Sequence, residues 1–122
     1  MQSRSRLVRD TIHRVTKQNP GIGGLGRFAE PAVLVLVSLA EGPKHGYAMT
    51  ADIDHVSGIR LGPGTLYGAI ARLEERGLIE PLPSEDRRRP YRLTTAGAAA
   101  LRAHLETLER VTATGSRRLE RT

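Results

Sequence analysis

A chain of 122 residues with formal charge +6, 26% charged and 3% aromatic residues and no cysteine has material for one small core and no room for a separate substrate domain. Without cysteine, disulfides, thiolate metal sites and thiol catalysis are excluded. Six basic side chains (Arg4, Arg6, Arg9, Arg14, Lys17 and Arg27) face only Asp10 in the first 27 residues, whereas residues 28–122 hold thirteen basic against twelve acidic; the excess is an N-terminal arm suited to a polyanion, nucleic acid first.

Along that arm, Val8, Ile12 and Val15 share one face of a short helix expected over residues 4–18, which Asn19-Pro20-Gly21 ends. The following Gly21-Ile22-Gly23-Gly24-Leu25-Gly26 spells a G-x-G-x-x-G phosphate fingerprint. No strand precedes it, so it reads as a flexible linker. The longest apolar run, Ala32 to Val37 with Leu39-Ala40 after it, is far short of the roughly 20 residues of a membrane span. No apolar stretch follows the basic start as a secretory signal requires, so a cytoplasmic protein with no membrane partner is expected.

From Pro31 to Glu41 the pattern is continuously apolar, and Gly42-Pro43 stops it. Its length and the proline near its start predict a helix rather than a buried strand. A second helix is predicted from about Gly46 to Ser57, with Met49, Ile53 and Val56 on one face and Gly58 beyond its end. The third spans Pro63 to Gly77: Pro63 suits a first helical position, Gly77 the position just past a helix, and Leu66, Ile70 and Leu73 form its apolar stripe. Thr65, Gly68, Arg72 and Arg76 occupy the other side. Only Gly58 to Gly62 separate these two helices, the short spacing of a helix-turn-helix.

The period then drops to about two. Leu78 to Leu82 is predicted as a strand, Pro83 to Arg89 as a polar hairpin loop, and Tyr91-Arg92-Leu93 as the returning strand. Thr95 is expected to cap a last helix carrying Ala98, Leu101, Leu105 and Leu108, whose seam continues weakly through Thr112, Gly115 and Leu119. Fraying is expected beyond about Thr114.

The fold class is therefore mainly α with a small β-hairpin: a winged helix-turn-helix plus a trailing helix. A DNA major groove admits one helix and is read by side chains on its outer face, here Thr65, Gly68 and Arg72. Gly68 costs a helix about 1 kcal/mol relative to alanine, which hints at a partner approaching closely. Arg87, Arg88 and Arg89 at the return edge of the wing suit phosphates or a minor groove. Against chemistry, His13, His45, His55 and His104 are dispersed, with no i, i+4 pair for a metal. Asp52 and Asp54 point to different sides of one helix, and Ser57 lacks a nucleophile elbow. No enzyme and no cofactor are expected.

Three blocks in order, LAEGPKHGYAM, PGTLYGAIARLEERGLIE and RRRPYRLTTAGAAAL, resemble the PadR family of bacterial transcriptional regulators over about Ala32 to Glu109. The resemblance implies a homodimer joined through the C-terminal helix, here by Leu101, Leu105 and Leu108, that represses transcription from a pseudo-palindromic operator in double-stranded DNA. Its DNA-contact segment falls on Pro63, Thr65, Leu66 and Tyr67, with Leu66 turned inward and the Tyr67 hydroxyl on a phosphate. His45, Gly46 and Tyr47 match the block at the second helix, whose N-terminal amides receive a phosphate. Arg87, Arg88 and Arg89 match the basic wing, and Tyr91 its second strand. Three departures stand out. Gly62 replaces the usual Ser or Thr before the proline, which costs a few tenths of a kcal/mol of capping. The single C-terminal helix is that of the short-tailed subgroup. Tryptophan, which multidrug-binding relatives use to sandwich flat ligands, is absent, so no small-molecule inducer is identified.

The expected organisation is a basic arm and Gly-rich linker over residues 1–27, a winged helix-turn-helix over 28–94 and a dimerisation helix with a frayed tail over 95–122. The alternative function is a protein–protein assembly module whose basic arm meets an acidic partner.

Overall fold

The computed structural model describes residues 30–85 and 87–121. The arm, with its expected helix and its Gly-rich stretch, lies outside the described residues. From residue 30 the chain runs through α1 (Glu30–Ala40), α2 (Gly46–Ser57), α3 (Pro63–Glu75), β1 (Ile79–Pro81), β2 (Tyr91–Leu93) and α4 (Thr95–Glu120).

The apolar run becomes α1, which buries Val35, Leu36 and Leu39 in the centre of the molecule. Against it lie Met49 and Ile53 of α2, Leu66, Ala69, Ile70 and Leu73 of α3, Ile79 of β1 and Leu101 of α4. Val56, expected on the same face as Met49 and Ile53, is instead 59% exposed. Helix α2 ends one residue later, at Ser57, and is closed by a left-handed Gly58, so its last turn runs past the core. The one buried polar side chain among the described residues, Ser38, donates to the Asp52 carboxylate at 2.7 Å. Lys44 donates to the Ser38 carbonyl and to Glu41, with Asp52 at 3.9 Å. Burial of these groups is tolerable because each has a partner, and the cluster fastens α1 to α2.

Helix α3 starts on Pro63 and stops in a Schellman turn: Gly77 has φ 74°, its N–H donates to Glu74 O at 3.0 Å, and Leu78 N–H donates to Leu73 O at 2.9 Å. The chain is thereby turned straight into the hairpin, registered Ile79↔Leu93, Glu80↔Arg92 and Pro81↔Tyr91. Arg92 donates to Glu80 across the strands at 2.7 Å. A third backbone segment joins the hairpin: Lys44 and Tyr91 exchange N–H···O bonds of 3.1 and 2.9 Å.

Two expectations about α4 are corrected. Thr94, not Thr95, caps it: Thr94 has extended backbone, its hydroxyl oxygen accepts from Gly97 N–H at 3.0 Å and its O–H donates to Gly77 O at 2.7 Å. The helix also continues without a break past Thr114 to Glu120. Leu101, expected in the dimer seam, is 5% exposed and packs in the core beneath α1. The architecture is a winged helix-turn-helix with a long trailing helix. None of its described helices is long and apolar enough to cross a membrane.

Candidate nucleic-acid interface

Three features meet around Gly46, Tyr47 and Tyr67. The first is the start of α2, where His45 has extended backbone and supplies no side-chain cap. The second is the start of α3, where Gly62 likewise offers none. Helix α4, by contrast, is capped by Thr94. An uncapped N-terminus leaves its first N–H groups without intrahelical acceptors and carries partial positive charge, which suits an anion.

The third is the wing. Arg87, Arg88 and Arg89 enclose, with His45, Gly46, Tyr47, Tyr67 and Tyr91, a cleft of about 360 Å³ between the wing and the start of α2. Residues taken from three separate sequence blocks therefore meet in one place. Burial, and next the Glu74 carboxylate, push the Tyr91 phenol above its usual 10.0; Arg89 pulls the other way, and Tyr67 adds to the rise. The rise favours the neutral form of Tyr91, which keeps its O–H as a donor. Nδ1 of His45 is buried without a hydrogen-bond partner among the described residues.

On the other side of Tyr67, a second cavity of about 590 Å³ lies between α2 and α3, with Tyr47, Thr50, Arg60 and Pro63 among its lining residues. Tyr47 is 74% and Tyr67 52% exposed, both at its edge. Arg60 was not singled out by its sequence; it sits beside the turn glycines and pairs with Asp54 at 2.9 Å.

Helix α3 itself is arranged differently from the outer face read off the sequence. By helical geometry its outermost line is Gly64, Gly68, Ala71 and Glu75, opposite buried Leu66, Ala69 and Leu73. Thr65 and Arg72 are exposed, but they lie on one flank and Tyr67 on the other. The Arg72 side chain runs back over the helix, with Nη1 3.6 Å from where a Cβ on Gly68 would stand. Its remainder helps line a groove of about 380 Å³ with Arg76, α1 and α4.

The side chains weighed for chemistry are held in structural roles. Asp52 is engaged by Ser38, and Asp54 by Arg60. Ser57 closes a helix end, donating to Ile53 O at 2.7 Å and accepting from Ile59 N–H at 3.0 Å. Among the described residues no group of three His, Asp or Glu side chains could hold a metal ion.

Residues 35–103, more than half of the chain, match the family described as the transcriptional regulator PadR-like family. The chain belongs to this family. The chain is 41% identical over 81 residues to a transcriptional regulator of Mycobacterium tuberculosis, covering 62% of this chain and 72% of that one. It is also 49% identical over 85 residues to an uncharacterised 37.1 kDa protein of a Streptomyces fradiae transposon. There the match covers 70% of this chain but spans only 25% of the relative. Among solved structures, a transcriptional regulator from Clostridium thermocellum superposes with TM-score 0.70 at 27% identity, over 79% of this chain and 96% of that one. A PadR family transcription regulator from Clostridium difficile shares the fold, with TM-score 0.69 at 23% identity over 75% of this chain and 99% of that chain. PadR-like proteins are transcriptional regulators, not enzymes.

Proposed function

We propose that this PadR-like protein is a homodimeric repressor that reads a pseudo-palindromic operator. One observation carries the reading: the arginines of the wing, the uncapped start of α2 and Tyr67 of α3 line a single cleft. In this reading α3 enters the major groove, with Thr65 and Arg72 at one groove wall and the bare line of Gly64, Gly68 and Ala71 leading. The starts of α2 and α3 and Arg87, Arg88 and Arg89 take phosphates, which contribute affinity without sequence information. Residues 28–94 form the DNA-binding unit, residues 95–122 join the subunits, and the basic arm of residues 1–27 adds electrostatic attraction.

The test is fluorescence anisotropy on a duplex enriched from a random library by the protein itself, at several salt concentrations. Arg72→Ala is expected to weaken the enriched duplex by about 1–3 kcal/mol while leaving random DNA little changed. Replacing Arg87, Arg88 and Arg89 together by alanine is expected to weaken both duplexes and to lower the salt slope by up to about 3. Unchanged affinity and slope in both variants would remove the repressor reading.

A further inference from the structure

Gly46 is helical and buried, and its φ is not positive, so its backbone makes no demand for glycine. The demand comes from outside its own helix. A Cβ at position 46 would stand 2.7 Å from Cζ and 3.1 Å from Cε1 of Tyr67, and would overlap the phenolic oxygen. Atoms that close must move: the half-exposed Tyr67 ring swings off its seat on the α2 start, or the two helix starts separate, and either way the ring no longer fills the gap between them.

With Gly46 and Tyr47 of α2, Tyr67 of α3 lines both cavities, one toward the wing and one toward the turn between α2 and α3. On the wing side it is close enough to Tyr91 to act on its ionisation. One ring thus stands beside the start of α2, on the first turns of α3 and facing the wing arginines, where the three phosphate-seeking features lie. Phosphates along a strand have fixed spacing, so shifting one helix start by the width of a side chain takes an anion-binding terminus off its phosphate.

We propose that Tyr67 is a positioning residue: its ring, seated where a side chain at position 46 would stand, sets the separation of the α2 and α3 starts and so the number of phosphates engaged together. This rests on the DNA-binding reading above and changes the role of Tyr67 within it, from hydroxyl donor to spacer. Glycine at 46 and an aromatic ring at 67 form one coupled pair.

The experiment measures the full-length protein on its enriched duplex across a salt series, comparing wild type with Gly46→Ala, Tyr67→Ala, Tyr67→Phe and the double variant Gly46→Ala/Tyr67→Ala. Gly46→Ala and Tyr67→Ala are each expected to weaken binding about tenfold and to lower the salt slope by about 1, the signature of one lost phosphate. Tyr67→Phe, which keeps the ring, is expected to recover most of that loss. The double variant is expected to bind no more weakly than Tyr67→Ala alone, because removing the ring makes room for the methyl group.

A Phe variant as weak as the Ala variant would overturn the proposal in favour of a hydroxyl contact. So would losses that add in the double variant, or an affinity loss with an unchanged salt slope, which signals fewer folded molecules instead of fewer phosphates. Thermal melts identify a Gly46→Ala chain that does not fold; the Phe-against-Ala comparison and its salt slope then decide. If the wild type enriches no duplex, the DNA reading and this one fall together. If it binds and the pattern fails, only the spacer role falls.

Discussion

Gly68 has open space on one side and only Arg72 Nη1, at an ordinary 3.6 Å, on the other. Its φ is not positive. Nothing within the described residues therefore requires glycine there, yet the residue costs α3 about 1 kcal/mol of helix propensity. Gly68→Ala is accordingly expected to stabilise the protein by about 1 kcal/mol in urea unfolding, since the new methyl group meets no obstacle. The same methyl group would stand on the outermost line of α3, and the DNA reading expects anisotropy to show weaker binding to the enriched duplex. A more stable variant with unchanged affinity would place Gly68 outside the contact. The residue type and its helical position were readable from the sequence. Which line of the helix leads was not, because Arg72 folds back over Gly68 instead of standing off the outer face.

The helices were the most readable elements because their ends carry local chemistry. Pro63 and Gly77 bracket α3, and Gly58 closes α2, as their backbone preferences dictate. The cap of α4 was misassigned between neighbours, since Thr94 and Thr95 are equally able to cap. The choice depends on which one has extended backbone (Thr94, φ −86° and ψ 172°) and which reaches Gly77 O. The extension of the sheet by Lys44 had no periodic signal, because a single residue pairs with Tyr91. Its side chain matters as well, being 14% exposed beside Asp52, Glu41 and the Ser38 carbonyl. Lys44→Met keeps the stem and the backbone bridge but leaves the Ser38 carbonyl short of a donor and Asp52 without the cation 3.9 Å away. It is expected to cost about 1–3 kcal/mol in urea unfolding. A loss under about 0.5 kcal/mol, the range of an ordinary surface site, would show that the cluster contributes nothing to joining α1 and α2.

Taken whole, the molecule has a wing and three short helices around one core, and a last helix too long for that core. Helix α4 has 26 residues and so runs about 39 Å, but its buried positions, Gly97 and Leu101, lie near its start. Gly97 permits this docking, because a Cβ there would run into the Leu78 carbonyl and stand 3.1 Å from Leu93 Cδ2. Beyond Leu101 the same side of the helix carries Leu105, Leu108 and Leu119, all exposed, with Val111 beside them. The seam read from the sequence thus divides in two. Leu101 serves the core, and in the homodimer reading proposed above Leu105 and Leu108 are left to meet a partner subunit. The division makes the two sets of substitutions separable. Leu108→Glu is expected to leave the secondary structure intact and to bring the sedimentation mass down from about twice 13.3 kDa to 13.3 kDa. Affinity for a two-half-site duplex should fall with it, because each subunit then binds alone. Leu101→Ala is expected to lower unfolding stability by about 2–5 kcal/mol through the cavity it leaves. At concentrations where the fold survives, its mass should remain that of the dimer. A wild-type mass of 13.3 kDa, or a Leu108→Glu mass equal to that of wild type, would exclude this face as the subunit contact and detach the operator's two-fold symmetry from α4.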